Sequence, residues 1–205
     1  MTTSGKKPEI RSWRSYVSTV RVLFEYEGFK DLGKGVSPPA DYKKIRIHCI
    51  HPLYTSIVSM TSSMISGKSK ARYVADGHLT DPCKDAAYSS VVSLCTIRIA
   101  LTVAEMNKLK VMVGDIGNAY LEAYTKEKVY IIAGPDFGEL EGHTLVINKA
   151  LYGLRTSGAR LHDKLADTLR DMDFMPCRAD PDLWLHGQPD HYEYVCLCVC
   201  VSVCR

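Results

Sequence analysis

The sequence predicts an α+β domain, because strand-like and helical segments are interleaved without the regular strand–helix–strand repeat of a doubly wound sheet. Residues Asp41–Ile50 alternate apolar and polar side chains with the two-residue period of a strand. Ser90–Lys108 and Ser157–Met172 instead place apolar residues at helical spacing. The 205 residues are 46% hydrophobic with a formal net charge of only +3, which excludes a wholly disordered chain.

Residues 1–40 are interpreted as a basic lead-in and linker, poorly specified apart from the amphipathic stretch Trp13–Phe24, which predicts a short helix. Met1–Arg14 contains no apolar core of a signal peptide, and the apolar runs elsewhere fall short of about 20 residues. We therefore expect an intracellular protein with no signal peptide, no transmembrane segment and no membrane partner.

Residues 41–199 are predicted to form the main domain, and residues 51–69 within it have no clear period and are interpreted as a divergent insertion. The strand Asp41–Ile50 precedes this insertion, and Lys70–Ala75 predicts another strand after it. After the first long helix, the apolar run Leu109–Gly114 predicts a buried strand that carries Asp115 at its tip. Later strands are expected at Lys128–Ile132, Thr144–Ile147, Asp182–His186 and Tyr192–Val199.

The end of the chain is rich in cysteine and valine, and residues 200–205 are set apart as an aberrant tail. Cys196, Cys198 and Cys200 would lie on one face of a strand, where thiolates could bind a soft metal. The alternative is a strand-like run of low complexity without a site. Because the spacing matches no C-x-x-C zinc motif, the alternative is favoured.

Two other motifs carry weak signals. Ser66–Ser69 ends like a phosphate-binding loop, but Ser62 stands where that motif needs its first glycine. His48, Cys49 and His51 are close in sequence, yet a strand sends neighbouring side chains to opposite faces, and no second ligand pair follows nearby. Neither motif predicts a site.

The segment Val113–Tyr120 has the pattern of a binding site. Asp115 at the end of an apolar run could hold a divalent cation, and the backbone N–H groups of Ile116–Ala119 could face an anion such as a triphosphate. Tyr120 would place a bulky ring where it limits what fits beside a sugar. The alternative is that Asp115 caps the turn that follows, a common role for aspartate.

Further motifs occur in a fixed order along the chain. D-x-x-x-A-Y-L spans Asp115–Leu121, K-A-L-Y-G-L spans Lys149–Leu154, and A-D-P-D-L-W spans Ala179–Trp184. Together with Lys70–Arg72 and Val74–Gly77, they resemble the reverse transcriptase domain of copia-type retrotransposons. The resemblance covers about Tyr42–Ile47 and Lys70–Val199.

This resemblance implies a partial right-hand polymerase fold, with fingers and an incomplete palm. It implies RNA-templated DNA synthesis from deoxynucleoside triphosphates on a template-primer, with two Mg²⁺ ions held by palm carboxylates. Asp115 matches the first of these carboxylates and is the candidate catalytic and metal-binding residue. The candidate nucleotide-binding residues are Lys70, Arg72, Ile116, Gly117, Asn118, Ala119, Tyr120, Tyr152 and Gly153.

The resemblance is incomplete at the second and third palm aspartates. An ungapped alignment places Cys198 where the family's Y-x-D-D turn has its tyrosine, and Cys200 and Val201 where it has its aspartates. One carboxylate cannot hold two metal ions about 3.5–4 Å apart. The sequence, which ends at Arg205, is therefore interpreted as a reverse transcriptase fragment that is inactive alone.

The alternative is a non-catalytic nucleic-acid-binding or interaction module derived from a polymerase. In that case cationic side chains would contact phosphates without chemistry, and binding would weaken steeply with salt. The candidate cations are Lys70, Arg72, Arg155 and Arg160.

Overall fold

The structure, a computed structural model, describes residues 20–50, 72–77, 89–189 and 191–197. Lys70, the 51–69 insertion and the 200–205 tail lie outside these ranges. The strands are β1 (Phe29–Lys34), β2 (Lys43–Lys44), β3 (Ile47–Ile50), β4 (Arg72–Ala75), β5 (Val129–Ile132), β6 (His143–Ile147), β7 (Met175–Pro176), β8 (Leu183–Gly187) and β9 (Tyr192–Cys196). The helices are α1, described over residues 20–25, α2 (Leu94–Met106) and α3 (Ser157–Asp171), with 3-10 helices at Ala119–Glu122 and Pro135–Leu140.

A four-stranded mixed sheet has the order β1-β6-β5-β2. β6 pairs antiparallel with both β1 and β5, while β2 adds a short parallel pairing to β5. The interpretation of residues 1–40 as a lead-in and linker does not hold for β1, which is an edge strand of this sheet. Leu23 of α1 and Phe29 of β1 are buried in the main core, where Phe29 pairs with Ile147 of β6.

A two-stranded antiparallel sheet, β3-β4, packs on the same core. The 3-10 helix Pro135–Leu140 adds Phe137, whose ring lies 5.7 Å from that of Tyr73 and 5.9 Å from that of Phe29. Aromatic contacts at these distances favour tilted or edge-on packing. β4, which carries Arg72, is thereby anchored to the four-stranded sheet.

A second core lies between α3 and the antiparallel sheet β7-β8-β9. Trp184 is 1% exposed and lies at its centre, and the guanidinium of Arg170 lies 5.3 Å from the centre of its ring. The expected strands Asp182–His186 and Tyr192–Val199 match β8 and β9 closely. The helices and mixed sheets confirm the predicted α+β class.

The expected buried strand at Leu109–Gly114 is wrong. These residues form no strand in the structure, and Met112 and Val113 are 91% and 96% exposed. An apolar run becomes a strand only when a neighbour supplies hydrogen bonds and covers its side chains. In the described ranges no strand pairs with this run, so its composition alone could not make it one.

Among the described residues, no helix is both long and apolar enough to cross a membrane.

Candidate nucleotide-binding site

Asp115 lies on an exposed, irregular segment rather than at the tip of a buried strand. In the described ranges no group of three or more histidine, cysteine, aspartate or glutamate side chains is placed to hold a metal ion. Asp115 is therefore an accessible carboxylate that belongs to no such group within those ranges.

The interpretation of Asp115 as a helix cap is wrong. The 3-10 helix after it begins at Ala119, and the residue before the helix is Asn118, which has a left-handed backbone with φ 54°. Asn118 makes no side-chain hydrogen bond to the helix. In the described residues the N–H groups of Ile116, Gly117 and Asn118 donate no hydrogen bond, so they face solvent before the helix starts.

Three predicted nucleotide-binding side chains meet although they come from distant segments. The rings of Tyr120 and Tyr152 lie 4.8 Å apart with an interplanar angle of 87°. The guanidinium of Arg72 lies 5.6 Å from the centre of the Tyr152 ring. Edge-to-face ring packing and cation–π contact both fix orientation, so these side chains form one surface.

Tyr120 is partly buried in this surface, and burial together with the neighbouring Tyr152 raises the pKa of its phenol above the ordinary value. A raised tyrosine pKa keeps the phenol protonated at neutral pH. Tyr120 therefore adds no negative charge that would repel a phosphate.

The backbone at Tyr152 and Gly153 is hydrogen-bonded to β4 and packs closely against it. Ala75 N–H donates to the Tyr152 carbonyl at 2.7 Å, and Val74 and Tyr152 form a parallel β-bridge. Gly153 has φ +90°, and a Cβ at this position would overlap the carbonyl oxygen of Ala75. A Cβ on Gly77 would likewise overlap the carbonyl oxygen of Gly153. Glycine is needed at both positions because two backbone segments touch there.

Sequence reasoning missed the residues that hold this loop from its other side. Glu127 accepts hydrogen bonds from the backbone N–H and the hydroxyl of Thr156 at 2.9 and 2.7 Å. Buried Lys149 places its ammonium 3.6 Å from the ring centre of Tyr124. A 29-residue separation leaves no local pattern for the Glu127 contact, so the sequence carried no signal for it.

The A-D-P-D-L-W segment supports the fold. Asp180 accepts hydrogen bonds from the hydroxyl of Thr96 at 2.6 Å and from Ser93 N–H at 3.0 Å, at the start of α2. These hydrogen bonds lower the pKa of the Asp180 carboxyl, and the bond from Thr96 has the largest effect. Asp182 is buried and lies 2.6 Å from Nε2 of His162 on α3. This segment therefore links both long helices to the β7-β8-β9 sheet.

The weak motifs gain no support as sites. His48 lies 2.8 Å from Asp76, which gives its ring a carboxylate partner within the fold. Cys196 is partly buried on β9. Ser66–Ser69, His51, Cys198 and Cys200 lie outside the described residues.

The sequence profile of the family described as reverse transcriptase (RNA-dependent DNA polymerase) matches residues 34–201. The chain belongs to this family. The match spans the Arg72, Tyr120 and Tyr152 surface, the Asp115 segment and the A-D-P-D-L-W segment. It begins at Lys34, the last residue of β1.

Similar relatives are the Transposon Ty1-BL and Transposon Ty1-DR4 Gag-Pol polyproteins of Saccharomyces cerevisiae. Each is 32% identical over 105 residues, which is 50% of this chain and 6% of the relative. Together with the family match they identify a copia-type reverse transcriptase domain. This reverse transcriptase domain thus spans a small part of the length of these relatives. No solved structure matches the chain.

Proposed function

We propose that this chain forms the nucleotide-binding part of a copia-type reverse transcriptase domain with a partial right-hand polymerase fold. The reaction of the parent family is RNA-templated DNA synthesis from deoxynucleoside triphosphates on a template-primer. The observation that carries the proposal is the meeting of Arg72, Tyr120 and Tyr152 on one surface.

The chemistry of this surface suits a nucleoside triphosphate. The guanidinium of Arg72 is planar and presents paired N–H donors that match phosphate oxygens. Tyr152 is 41% exposed, so its ring can contact a base or sugar, and Tyr120 closes the space beside it. In the proposal Lys70 adds a second cation, and Gly117, Asn118 and Ala119 line the side nearest Asp115.

Arg72→Ala is expected to weaken binding of a fluorescent deoxynucleotide, mant-dATP with Mg²⁺, by about tenfold or more. Hydrogen bonds to a charged group contribute roughly 1.5–3 kcal/mol, and about 1.4 kcal/mol corresponds to a factor of ten. Arg98→Ala removes an exposed cation from α2 and serves as the matched control. Fluorescence titration of both variants measures the effect, and equal affinities would contradict the proposed site.

In the described ranges no group of three or more histidine, cysteine, aspartate or glutamate side chains is placed to hold a metal ion, so these residues do not fit a two-metal centre. Family membership implies a divalent metal, which Asp115 would help to hold with further oxygen ligands. We derive no phosphoryl-transfer step from this incomplete donor set.

Purified chain is expected to bind deoxynucleotide without extending a primer on an RNA template, with either Mg²⁺ or Mn²⁺ present. The reason is that metal positioning supplies most of the catalysis in phosphoryl transfer. A primer-extension assay measures this. Template-dependent extension that Asp115→Ala abolishes would show that the chain completes its metal centre.

The alternative of a purely nucleic-acid-binding module has less support. The side chain of Arg160 is 12% exposed and pairs with Asp163 at 3.4 Å. Nε of Arg155 donates to the carbonyl of Gly77 at 3.0 Å. Both cations thus make contacts within the fold, whereas Arg72 is the described member of the predicted phosphate-binding set that faces the ring surface.

A further inference from the structure

Glu127 connects two segments that approach the nucleotide surface from opposite sides. It follows the 3-10 helix that carries Tyr120, and its N–H donates to Thr125 Oγ1 at 3.1 Å. Its carboxylate oxygen Oε1 accepts hydrogen bonds from both the backbone N–H and the hydroxyl of Thr156. Thr156 is fully buried. Two bonds converging on one oxygen fix the position of Thr156 relative to the Tyr120 segment.

Thr156 is the residue before α3, and its own side chain does not cap the helix. The first turn of α3 also contains no acidic residue. Glu127 therefore supplies from elsewhere in the chain the acceptor and the negative charge that a helix N-terminus favours.

The Leu151–Arg155 loop immediately precedes this point and is held along its length. Ser157 Oγ donates to the Leu151 carbonyl at 2.6 Å, and Ala75 N–H donates to the Tyr152 carbonyl at 2.7 Å. Just before the loop, Ala150 N–H donates to the Ala123 carbonyl at 2.9 Å, and just after it Glu127 holds Thr156. The position of Tyr152 thus depends on contacts from both sides.

We propose that Glu127 is the positioning residue of the nucleotide site: by holding Thr156 it sets the Leu151–Arg155 loop so that Tyr152 meets Tyr120 and Arg72. This inference rests on the proposed function, because its consequence is deoxynucleotide affinity. Glu127 acts through the loop, and a ligand is bound by the surface that the loop completes.

The test combines amide hydrogen exchange of the loop with mant-dATP titration on the full chain. Glu127→Ala is expected to speed exchange of the Leu151–Thr156 amides by about tenfold and to weaken mant-dATP binding by a similar factor, since losing hydrogen bonds to a charged acceptor favours local opening. Exchange in β5 and β6 should stay at the wild-type rate. Unchanged loop exchange in Glu127→Ala would overturn the proposal.

Conservative variants separate positioning from general stability. Glu127→Gln keeps an oxygen that can accept both bonds and is expected to restore loop exchange and affinity to within about threefold of wild type. Glu139→Ala removes an exposed glutamate from the 3-10 helix Pro135–Leu140 and is the matched control, with both readouts unchanged. An equal loss in Glu139→Ala, or no rescue by glutamine, would contradict the assignment.

Thr156→Val probes the same contact from its other end by removing only the hydroxyl donor. It is expected to speed amide exchange of the loop by about threefold. In a chain that already carries Glu127→Ala it should cause no further increase, because both substitutions break the same interaction. Should Glu127→Ala not fold, wild-type loop exchange in Thr156→Val overturns the proposal. A wild-type chain that binds no mant-dATP overturns the nucleotide site itself, whereas normal binding by Glu127→Ala overturns only the role of Glu127.

Discussion

Gly153→Ala is expected to lower the free energy of unfolding by about 3–5 kcal/mol. An alanine at φ +90° costs roughly 1–2 kcal/mol in backbone strain. The new Cβ would also overlap the Ala75 carbonyl oxygen and lie 2.8 Å from Val74 Cγ1, and overpacking of this kind costs about 1–3 kcal/mol. Relief by backbone movement would further strain the hydrogen bond between Ala75 and Tyr152, worth about 1 kcal/mol.

Urea unfolding of two other glycine variants separates strain from overlap. Gly35 has φ +71° with open space where a Cβ would lie, so Gly35→Ala is expected to cost about 1–2 kcal/mol from strain alone. Gly134 has φ −84° and equally open space, so Gly134→Ala should change stability by less than about 0.5 kcal/mol. A cost for Gly153→Ala no larger than that for Gly35→Ala would show that the loop and β4 do not touch as described.

Trp184→Ala is expected to cost about 3–5 kcal/mol, the range for truncating a large buried aromatic side chain. Trp184 is 1% exposed and fills the core between α3 and the β7-β8-β9 sheet, where it contacts the layer formed by Leu169 and Phe174. Loss of its ring would also remove the cation–π partner of Arg170. Chemical denaturation followed by circular dichroism measures the change.

Two variants control this prediction. Trp184→Phe should cost less, about 1–2 kcal/mol, because it keeps an aromatic ring and the indole N–H makes no hydrogen bond in the described part of the chain. Met175→Ala removes a side chain that is 73% exposed on the same sheet and should stay within about 0.5 kcal/mol of wild type. Equal stability of Trp184→Ala and wild type would show that α3 does not pack on this sheet.

The sequence predicted the elements whose own residues contain the signal. Helical spacing of apolar side chains identified α2 and α3 to within a few residues. α3 buries one apolar side, whereas Ala104 is the one buried residue of α2, and Leu94 and Leu101 are exposed. Period-two alternation in Asp41–Ile50 located β3, although the structure divides this stretch into β2 and β3, which belong to different sheets. The expected strands near the end of the chain match β8 and β9. For the candidate site, motif order predicted that Arg72, Tyr120 and Tyr152 belong together, and the structure brings these three side chains into contact.

The failures occurred where a residue's state depends on a distant neighbour. Leu109–Gly114 has a strand's composition but no pairing partner in the described ranges. β1 has the composition of a polar lead-in, yet pairing with β6 makes it a strand of the main sheet. Asp115 has the residue type of a helix cap, but the helix begins four residues later, at Ala119.

Family membership, the α+β class and the approximate positions of the long helices follow from local patterns, because motif spacing and amphipathic period are properties of neighbouring residues. Three features could be read only from the folded chain. They are the hydrogen bonds between Thr156 and Glu127, the close backbone contact of Gly153 with Ala75, and the exposure of Val113. The physical reason is that hydrogen bonds, close backbone contacts and burial depend on which distant segments pack together in the folded chain. The pattern of neighbouring residues does not contain that information.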